Sequence, residues 1–251
     1  MLCDEGLLTE VRTAAACVYA SRAALLRYQH YHKDWNLGYL KKIGMIGGGV
    51  QAVWHLRLLA AAIFDCSSDR IRPKVVLKTR SKESASEFIN RMSTSSFESD
   101  RLWEFLNDEQ SESKKSVFSG CHLIHTVTPS RAPVLKYEDL GISENDHSFV
   151  HITACGADSP GKCELDPELI SKFEKILLCD SAPQSRERGE FQVSRFLGID
   201  SRVLEIGQTG IIDEENGRLL FTEEHGFLSI FDSSGLALQD LEMAKVILNC
   251  L

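Results

Sequence analysis

In this chain of 251 residues, the run Lys42-Ile43-Gly44-Met45-Ile46-Gly47-Gly48-Gly49-Val50-Gln51-Ala52 carries the residue types and spacing best suited to chemistry. It fits G-x-G-x-x-A at Gly47, Gly49 and Ala52. An apolar strand-like run leads into it and helical periodicity follows over 50–64, the context in which this pattern binds a dinucleotide. A tight turn needs Gly47, close approach of backbone amides to a pyrophosphate needs Gly49, and Ala52 lets helix and strand pack together. The start of the helix then favours the negative phosphates. Outside that context the same glycines would form a turn that binds nothing.

The next apolar run ends Val75-Val76-Leu77-Lys78-Thr79-Arg80-Ser81, with no carboxylate before Glu83. An acidic residue there would grip a ribose 2′-hydroxyl. A guanidinium between two hydroxyls suits a 2′-phosphate instead. The expected cofactor is therefore NADP, with NAD as the alternative; Lys78 and Arg80 would also serve as an ordinary solvated strand end. Two further residues are candidates. Asp158, in Cys155-Gly156-Ala157-Asp158-Ser159-Pro160-Gly161-Lys162, follows a strand-like run, and loops at the carboxyl ends of parallel strands form the ligand crevice. A carboxylate there could exchange a proton with a bound amine or imine, although Asp, Pro and Gly also dominate plain turns. Arg12 lies among Thr13-Ala14-Ala15-Ala16, where a guanidinium could hold a carboxylate through two parallel bonds. By residue type alone it reads more simply as a surface arginine.

Other chemistries are not expected. The eight cysteines show no C-x-x-C pair and the eight histidines no H-E-x-x-H, so no metal site is expected. The cysteines lie mostly in apolar runs and read as reduced thiols in a cytosol-like, cytoplasmic compartment. The net charge of −8 argues against general nucleic-acid binding. No apolar run approaches the ~20 residues of a membrane span, and Met1-Leu2-Cys3-Asp4-Glu5 does not begin a signal peptide.

The elements that must position these residues follow from periodicity and breakers. Helices are expected over 10–27 (with Thr9 as cap), 50–64, 82–91, 166–175 (with Pro167 in its first turn) and 236–248. Strands are expected over 43–46, 74–77, 122–127, 149–155, 176–179 and 227–231. Residues 29–38 read as a connection, 93–119 as a surface loop or elaborated helix, and 213–217 as a turn. Alternating strands and helices imply an α/β fold: a Rossmann-type parallel sheet with helices on both faces.

Several segments together resemble the ornithine cyclodeaminase/mu-crystallin family. Leu8-Thr9-Glu10-Val11-Arg12-Thr13-Ala14-Ala15-Ala16 resembles its L-T-x-x-R-T-A-A-A helix, and residues 43–52 its I-G-x-I-G-x-G-x-Q-A loop. Thr79-Arg80-Ser81 resembles N-R-T, and residues 126–135 resemble T-A-T-P-S-R-E-P-V-L. Residues 151–166 resemble H-I-N-A-V-G-A-D-x-P-G-K-x-E-L-D, and 231–240 resemble F-D-S-T-G-L-A-L-Q-D. The chain departs at Thr153 (Asn in the family segment), Cys155 (Val) and Gln208 (acidic).

The resemblance implies a dinucleotide-binding domain over 41–235. Residues 1–40, joined by 236–251, would be the remnant of a second domain for substrate binding and dimerisation. Family members carry ~80 further residues before the first helix, so this chain reads as a shortened member. By the resemblance, Gly47, Gly49, Val50 and Gln51 hold the pyrophosphate, and Thr79, Arg80 and Ser81 the adenosine ribose. Thr126, Val127 and Thr128 line the cofactor, and Ser234 and Gly235 lie near the nicotinamide. Arg12 clamps the substrate carboxylate, and Asp158 is the acid/base. The expected activity is that of an NAD(P)-dependent ornithine cyclodeaminase or ketimine reductase. Hydride would transfer at the Cα–N centre of a small amino or imino acid, in a protein that is a homodimer at full length. The alternative is an NADP-binding, mu-crystallin-like protein or inactive shortened form without turnover.

Overall fold

The computed structural model describes residues 5–64, 73–107, 116–142, 149–173, 176–208 and 227–249. The turn expected over 213–217 lies outside them. Helix α1 (Glu5–Tyr31) leads into strand β1 (Lys42–Ile46), α2 (Val50–Leu59), β2 (Lys74–Lys78), α3 (Lys82–Ser93) and β3 (Glu104–Asn107). Then come β4 (Leu123–Thr126), β5 (Arg131–Leu135), β6 (Val150–Ala154), β7 (Cys163–Leu165) and α4 (Pro167–Lys172). The chain continues through β8 (Leu177–Cys179), α5 (Ala182–Arg188), β9 (Val203–Glu205), β10 (Leu228–Asp232) and α6 (Ala237–Asn249).

Among the described residues the main sheet has eight strands in the order β3-β2-β1-β4-β6-β10-β8-β9, with every described pairing parallel. A separate pair joins β5 to β7. The strand order reverses between β1 and β4, and such a switch point opens a crevice above the carboxyl ends. Residues alternate between two buried faces. Ile43, Met45, Val75 and Leu77 enter one cluster with Leu56 and Phe88; Ile46, Val76, Ile124 and Ile152 enter the other with Leu169 and Phe173. Burial on both faces is why these strands read as unbroken apolar runs.

The helices follow their apolar stripes. In α1, Ala14, Cys17, Val18, Ser21 and Leu25 recur at helical spacing and are all buried. The small ones, Cys17, Ala20 and Ala23, let α1 settle against Ile176, Leu178 and Phe231 of the sheet. Two helices open on side-chain caps. Ser81 Oγ accepts from Ser84 N at the start of α3, and Asp166 Oδ1 accepts from Glu168 N at the start of α4.

Four expectations need correction. The helix expected over 10–27 with Thr9 as cap begins at Glu5, so Thr9 lies inside it, and it runs on to Tyr31, because Tyr28 stacks on Phe149 (5.0 Å) and meets Trp35 and Phe227 edge-on, so part of the expected connection is core. The helix over 50–64 is α-helical only to Leu59 and continues as a π-helical stretch from Ala60 to Phe64. The surface segment over 93–119 contains β3, which extends the sheet edge beside β2, with Trp103 buried before it. Strands β5, β7 and β9 and helix α5 were not expected; with three to seven residues each, they are too short for a clear period. No helix among the described residues is long and apolar enough to cross a membrane.

Candidate dinucleotide site

The register aligns the strand ends. Ile46 pairs with Thr126, Thr126 with Ala154, Ala154 with Asp232, and Asp232 with Cys179. The residues one step further on, Gly47, Val127, Cys155, Ser233 and Asp180, therefore lie along one edge of the sheet, about 4.8 Å apart from strand to strand. Most of the predicted site residues lie on or just beyond this edge.

At its left end the three glycines differ in what the fold asks of them. Gly47 has φ +114° and its N–H donates to Lys78 O (2.9 Å). A Cβ there would lie 2.9 Å from Val127, so turn and strand packing both require glycine. A Cβ on Gly48 would meet Thr79 at 3.2 Å and Phe88 at 3.3 Å. At Gly49, the cap residue of α2, backbone is extended (φ −81°, ψ −168°) and a Cβ would meet nothing within 4 Å. The fold itself therefore does not require glycine there.

Beside this loop opens a cavity of about 910 Å³, walled by Gly47, Gly48, Gly49, Thr79, Val127 and Thr128. Lys78, Arg80, Arg91 and Lys136 line it, with Glu87, Glu138 and Asp139. Lys78 is engaged, donating to Val134 O (2.9 Å), and Arg91 donates to Gly48 O (3.2 Å). Arg80 is exposed and makes no hydrogen bond or ion pair among the described residues. A guanidinium lining the same cavity as the glycine loop that opens α2 is a combination that receives phosphates. Thr79 lines the cavity but its hydroxyl donates to Ser81 O (2.7 Å). Ser81 spends its hydroxyl on the cap of α3 and is not in the cavity wall. Val50 and Gln51 begin α2, outside that wall.

The right wall rests on a carboxylate the sequence reading did not single out. Buried Glu164, on β7, accepts from Thr126 Oγ1 (2.8 Å), Thr128 N (2.6 Å), Thr128 Oγ1 (2.8 Å) and Gly156 N (2.7 Å). Burial pushes its pKa up and these donors pull against that. The hydroxyls of Thr126 and Thr128 thus hold the loop in place, and Thr126 is wholly buried. Behind it, Glu190 accepts from the Glu164 and Leu165 N–H groups (2.8 and 3.0 Å). Asp232 accepts from Glu190 N (3.1 Å) and Ser185 Oγ. Desolvation pushes Asp232 up to about 8 and Glu190 well above the carboxylate range. The only sequence signal for Glu164 is its place in the quoted segment over 151–166.

Three strands to the right, a second group forms. Asp180, at the end of β8, accepts from Ser234 N (3.1 Å), Ser234 Oγ (2.8 Å) and Gly235 N (2.7 Å). Gly235 has φ +83°, and Arg12 Nη1 lies 3.0 Å from where its Cβ would stand. Arg12 donates from Nε to Asp240 Oδ1 (2.8 Å) and from Nη1 to Gln239 Oε1 (3.0 Å). Arg12, Ser234 and Gly235 are therefore assembled, in a group separate from the described cavity. Asp158 stands apart from both: its side chain is 61% exposed and pairs with Lys162 Nζ at 2.5 Å. The structure also brings Cys17, His55 and Cys155 together, a convergence of ligand types that spacing along the sequence did not foresee.

A doubly wound parallel sheet with a glycine loop at its switch point is the frame of a Rossmann-type dinucleotide-binding protein. The sequence pattern of the Ornithine cyclodeaminase/mu-crystallin family matches residues 1–251, and the chain belongs to that family. It is 38% identical to alanine dehydrogenase of Archaeoglobus fulgidus over 132 residues, covering 51% of this chain and 37% of that protein. The structure of an archaeal alanine dehydrogenase dimer with bound NAD is similar, with a TM-score of 0.65 and 28% identity, covering 95% of this chain and 62% of that one. So is iminosuccinate reductase of Paracoccus denitrificans in complex with NAD+, with a TM-score of 0.67 and 25% identity, covering 97% and 63%. The chain spans less than two thirds of the length of each of these relatives.

Proposed function

We propose that this chain binds a nicotinamide dinucleotide in the cavity beside Gly47–Gly49 and belongs to a dehydrogenase or reductase acting at the carbon–nitrogen centre of a small amino or imino acid. The observation that carries the reading is Gly49. Its glycine has no cause inside the fold, and the space where a Cβ would stand is open; a pyrophosphate held at the start of α2 supplies the cause. When bound, the dinucleotide supplies hydride exchange. Gly47, Gly49, Val50 and Gln51 would hold the pyrophosphate by backbone amides. Arg80 would hold the adenosine end beside Thr79, with Ser81 bracing it through the cap of α3, and Val127 and Thr128 would form the wall with Thr126 buried behind them. The unpaired guanidinium of Arg80 supports NADP, and the NAD bound by the two relatives keeps NAD as the rival.

The substrate half of the proposal rests on Arg12, Ser234, Gly235 and Asp158. Arg12 Nη2 makes no hydrogen bond among the described residues, and it is the group left to receive a substrate carboxylate. Ser234 and Gly235, held by Asp180, would border the nicotinamide end. Asp158 would manage the proton once drawn from Lys162 toward the site. Residues 1–40 and 236–251 would belong to a substrate and dimer-forming unit, an assignment supported by the contact of Arg12 with α6. The free thiols of Cys17, Cys121, Cys155, Cys163 and Cys179 support a reducing, cytoplasmic setting.

A second reading, a dinucleotide-binding protein without turnover, is favoured by the exposed, lysine-paired position of Asp158. Calorimetric titration with NADPH and NADH tests the shared part; absence of binding by both would overturn it. Tight NADPH binding with weak NADH binding is expected, and the reverse preference would remove the role given to Arg80. Turnover with ornithine and with cyclic ketimines separates the two readings. An enzyme should lose turnover in Asp158→Asn while still binding the dinucleotide, and unchanged turnover would remove Asp158 from the mechanism.

A further inference from the structure

We propose that Cys17, His55 and Cys155 form a buried site for one Zn2+ ion that fastens α1 to the dinucleotide-binding sheet. The three side chains come from three elements: Cys17 from the middle of α1, His55 from α2, and Cys155 from the residue that follows β6. One ring nitrogen of His55 and the two Sγ atoms all lie within 4.8 Å of one another, and among the described residues no other group of three ligand-type side chains comes together in this way. Cys17 and His55 are fully buried.

The histidine is prepared for a metal. Its Nδ1 lies 2.8 Å from Gln51 O, a carbonyl that can only accept, so Nδ1 carries the hydrogen. The lone pair is left on Nε2, which is buried and meets only the Cys155 thiol, a weak donor. A ligating imidazole is held in this way, one nitrogen donating to a carbonyl and the other turned to the ion.

The donor set selects the ion. Two thiolates and an imidazole are soft and borderline donors that suit zinc or copper(I), not calcium or magnesium. Cys17 and His55 are fully buried and Cys155 half-buried, and charge decides between zinc and copper(I). Two thiolates and a neutral imidazole balance a divalent ion, whereas copper(I) would leave one buried negative charge. Three side chains fill three tetrahedral positions and a water would take the fourth; zinc bonds of about 2.3 Å to sulfur and 2.0 Å to nitrogen set the three donors about 3.5–3.8 Å apart. Small side-chain shifts from the observed spacing reach that. A cysteine gives up its thiol proton when it binds zinc, and Cys17 and burial push the Cys155 thiol well above its ordinary value while His55 pulls against them. Uptake of Zn2+ therefore forms two Zn–S bonds and releases two protons to solvent, with no change of oxidation state. Near the site, buried His125 packs against His55 with ring centroids 5.3 Å apart, and both its ring nitrogens lack partners.

Nothing in this proposal depends on dinucleotide binding. Cys155 stands where the family segment has Val, so Cys155→Val removes a ligand and leaves a residue of suitable size. The full chain, reduced and freed of metal, would be titrated with CoCl2 and then ZnCl2. The expected result is thiolate-to-cobalt charge-transfer absorption saturating at about one ion per chain and displaced by zinc. Cys155→Val, with an unchanged circular dichroism spectrum, should lose that absorption and at least about tenfold in affinity. Zinc should also raise the melting temperature of the natural chain and not of Cys155→Val. Cys17→Ala repeats the test from α1, and Cys155→Val carries it alone if that variant does not fold. An identical cobalt spectrum in Cys155→Val, or no charge-transfer absorption in the natural chain, overturns the proposal. So does a Cys17–Cys155 disulfide whose reduction restores no metal uptake.

Discussion

Gly47 and Gly49 stand two residues apart and answer to different forces, which allows fold and function to be separated by the same substitution. Gly47→Ala places a Cβ at φ +114° and against Val127, so it should cost about 1–3 kcal/mol of stability. Gly49→Ala meets no protein atom and keeps an ordinary φ of −81°, so its melting temperature should hold while dinucleotide affinity falls at least about tenfold. Paired melting and calorimetric measurements check both. Equal affinity in Gly49→Ala would return that glycine to the fold and withdraw the main support for the site. Arg80 belongs to the same scale. Arg80→Ala should weaken NADPH more than NADH, because only the former carries a 2′-phosphate; a uniform loss would leave Arg80 as a general anion contact.

At the scale of elements, Asp180 is the joint between β8 and α6. Its two oxygens take the Ser234 and Gly235 N–H groups just before that helix, and Arg12 of α1 completes the contact through Asp240 and Gln239. Asp180→Ala leaves those N–H groups without acceptors, an expected loss of about 1–3 kcal/mol in urea unfolding. Amide exchange should quicken at Ser234 and Gly235 and stay unchanged in β1 and β2. Exchange quickened evenly across the chain would show that Asp180 supports the whole fold and not this joint. Glu164 plays the comparable part between β4 and β7, and its donors explain why Thr128 on the cavity wall and Thr126 buried behind it both turn their hydroxyls away from a ligand.

At the scale of the molecule two features bear on behaviour in solution. Buried Asp232 has its pKa raised from 3.8 to about 8, so between those values the folded chain holds a proton that the unfolded chain has lost. Stability from this group is greatest below 3.8 and falls as pH rises toward 8. Buried His151, lowered from 6.5 to about 3, acts in the opposite sense and only below 6.5. The window from pH 6.5 to about 8 therefore isolates the carboxylates, where Asp232→Asn should make the decline in melting temperature shallower. Parallel curves would place the proton elsewhere. The second feature is α6, which has no buried residue and exposes Leu238, Leu241, Val246 and Leu248 at 52–60%. Such a ridge seeks a partner. Light scattering should show association that rises with concentration and weakens in Leu241→Glu; a monomer at all concentrations would exclude it.

Local chemistry was legible in the sequence because it is written in neighbouring residues. The glycine loop, its strand and helix, the place of Pro167 in the first turn of α4 and the bare end of β2 all depend on periodicity or on contacts a few positions apart. The parallel Rossmann-type sheet followed from their alternation. Short segments were not legible: β3, β5, β7 and β9 have too few residues for a period and become strands only by pairing with a neighbour. The tertiary structure alone decided which residues meet. It set Ser81 to capping a helix, tied Arg12 to α6, left Asp158 exposed beside Lys162, and brought Glu164 under two threonines. It also gathered Cys17, His55 and Cys155, 38 and 100 positions apart, where no ligand spacing could announce them. The physical reason is common to all of these. Side-chain partners across elements are set by sheet order and helix packing, and those are properties of the whole chain's burial, not of any stretch of residues.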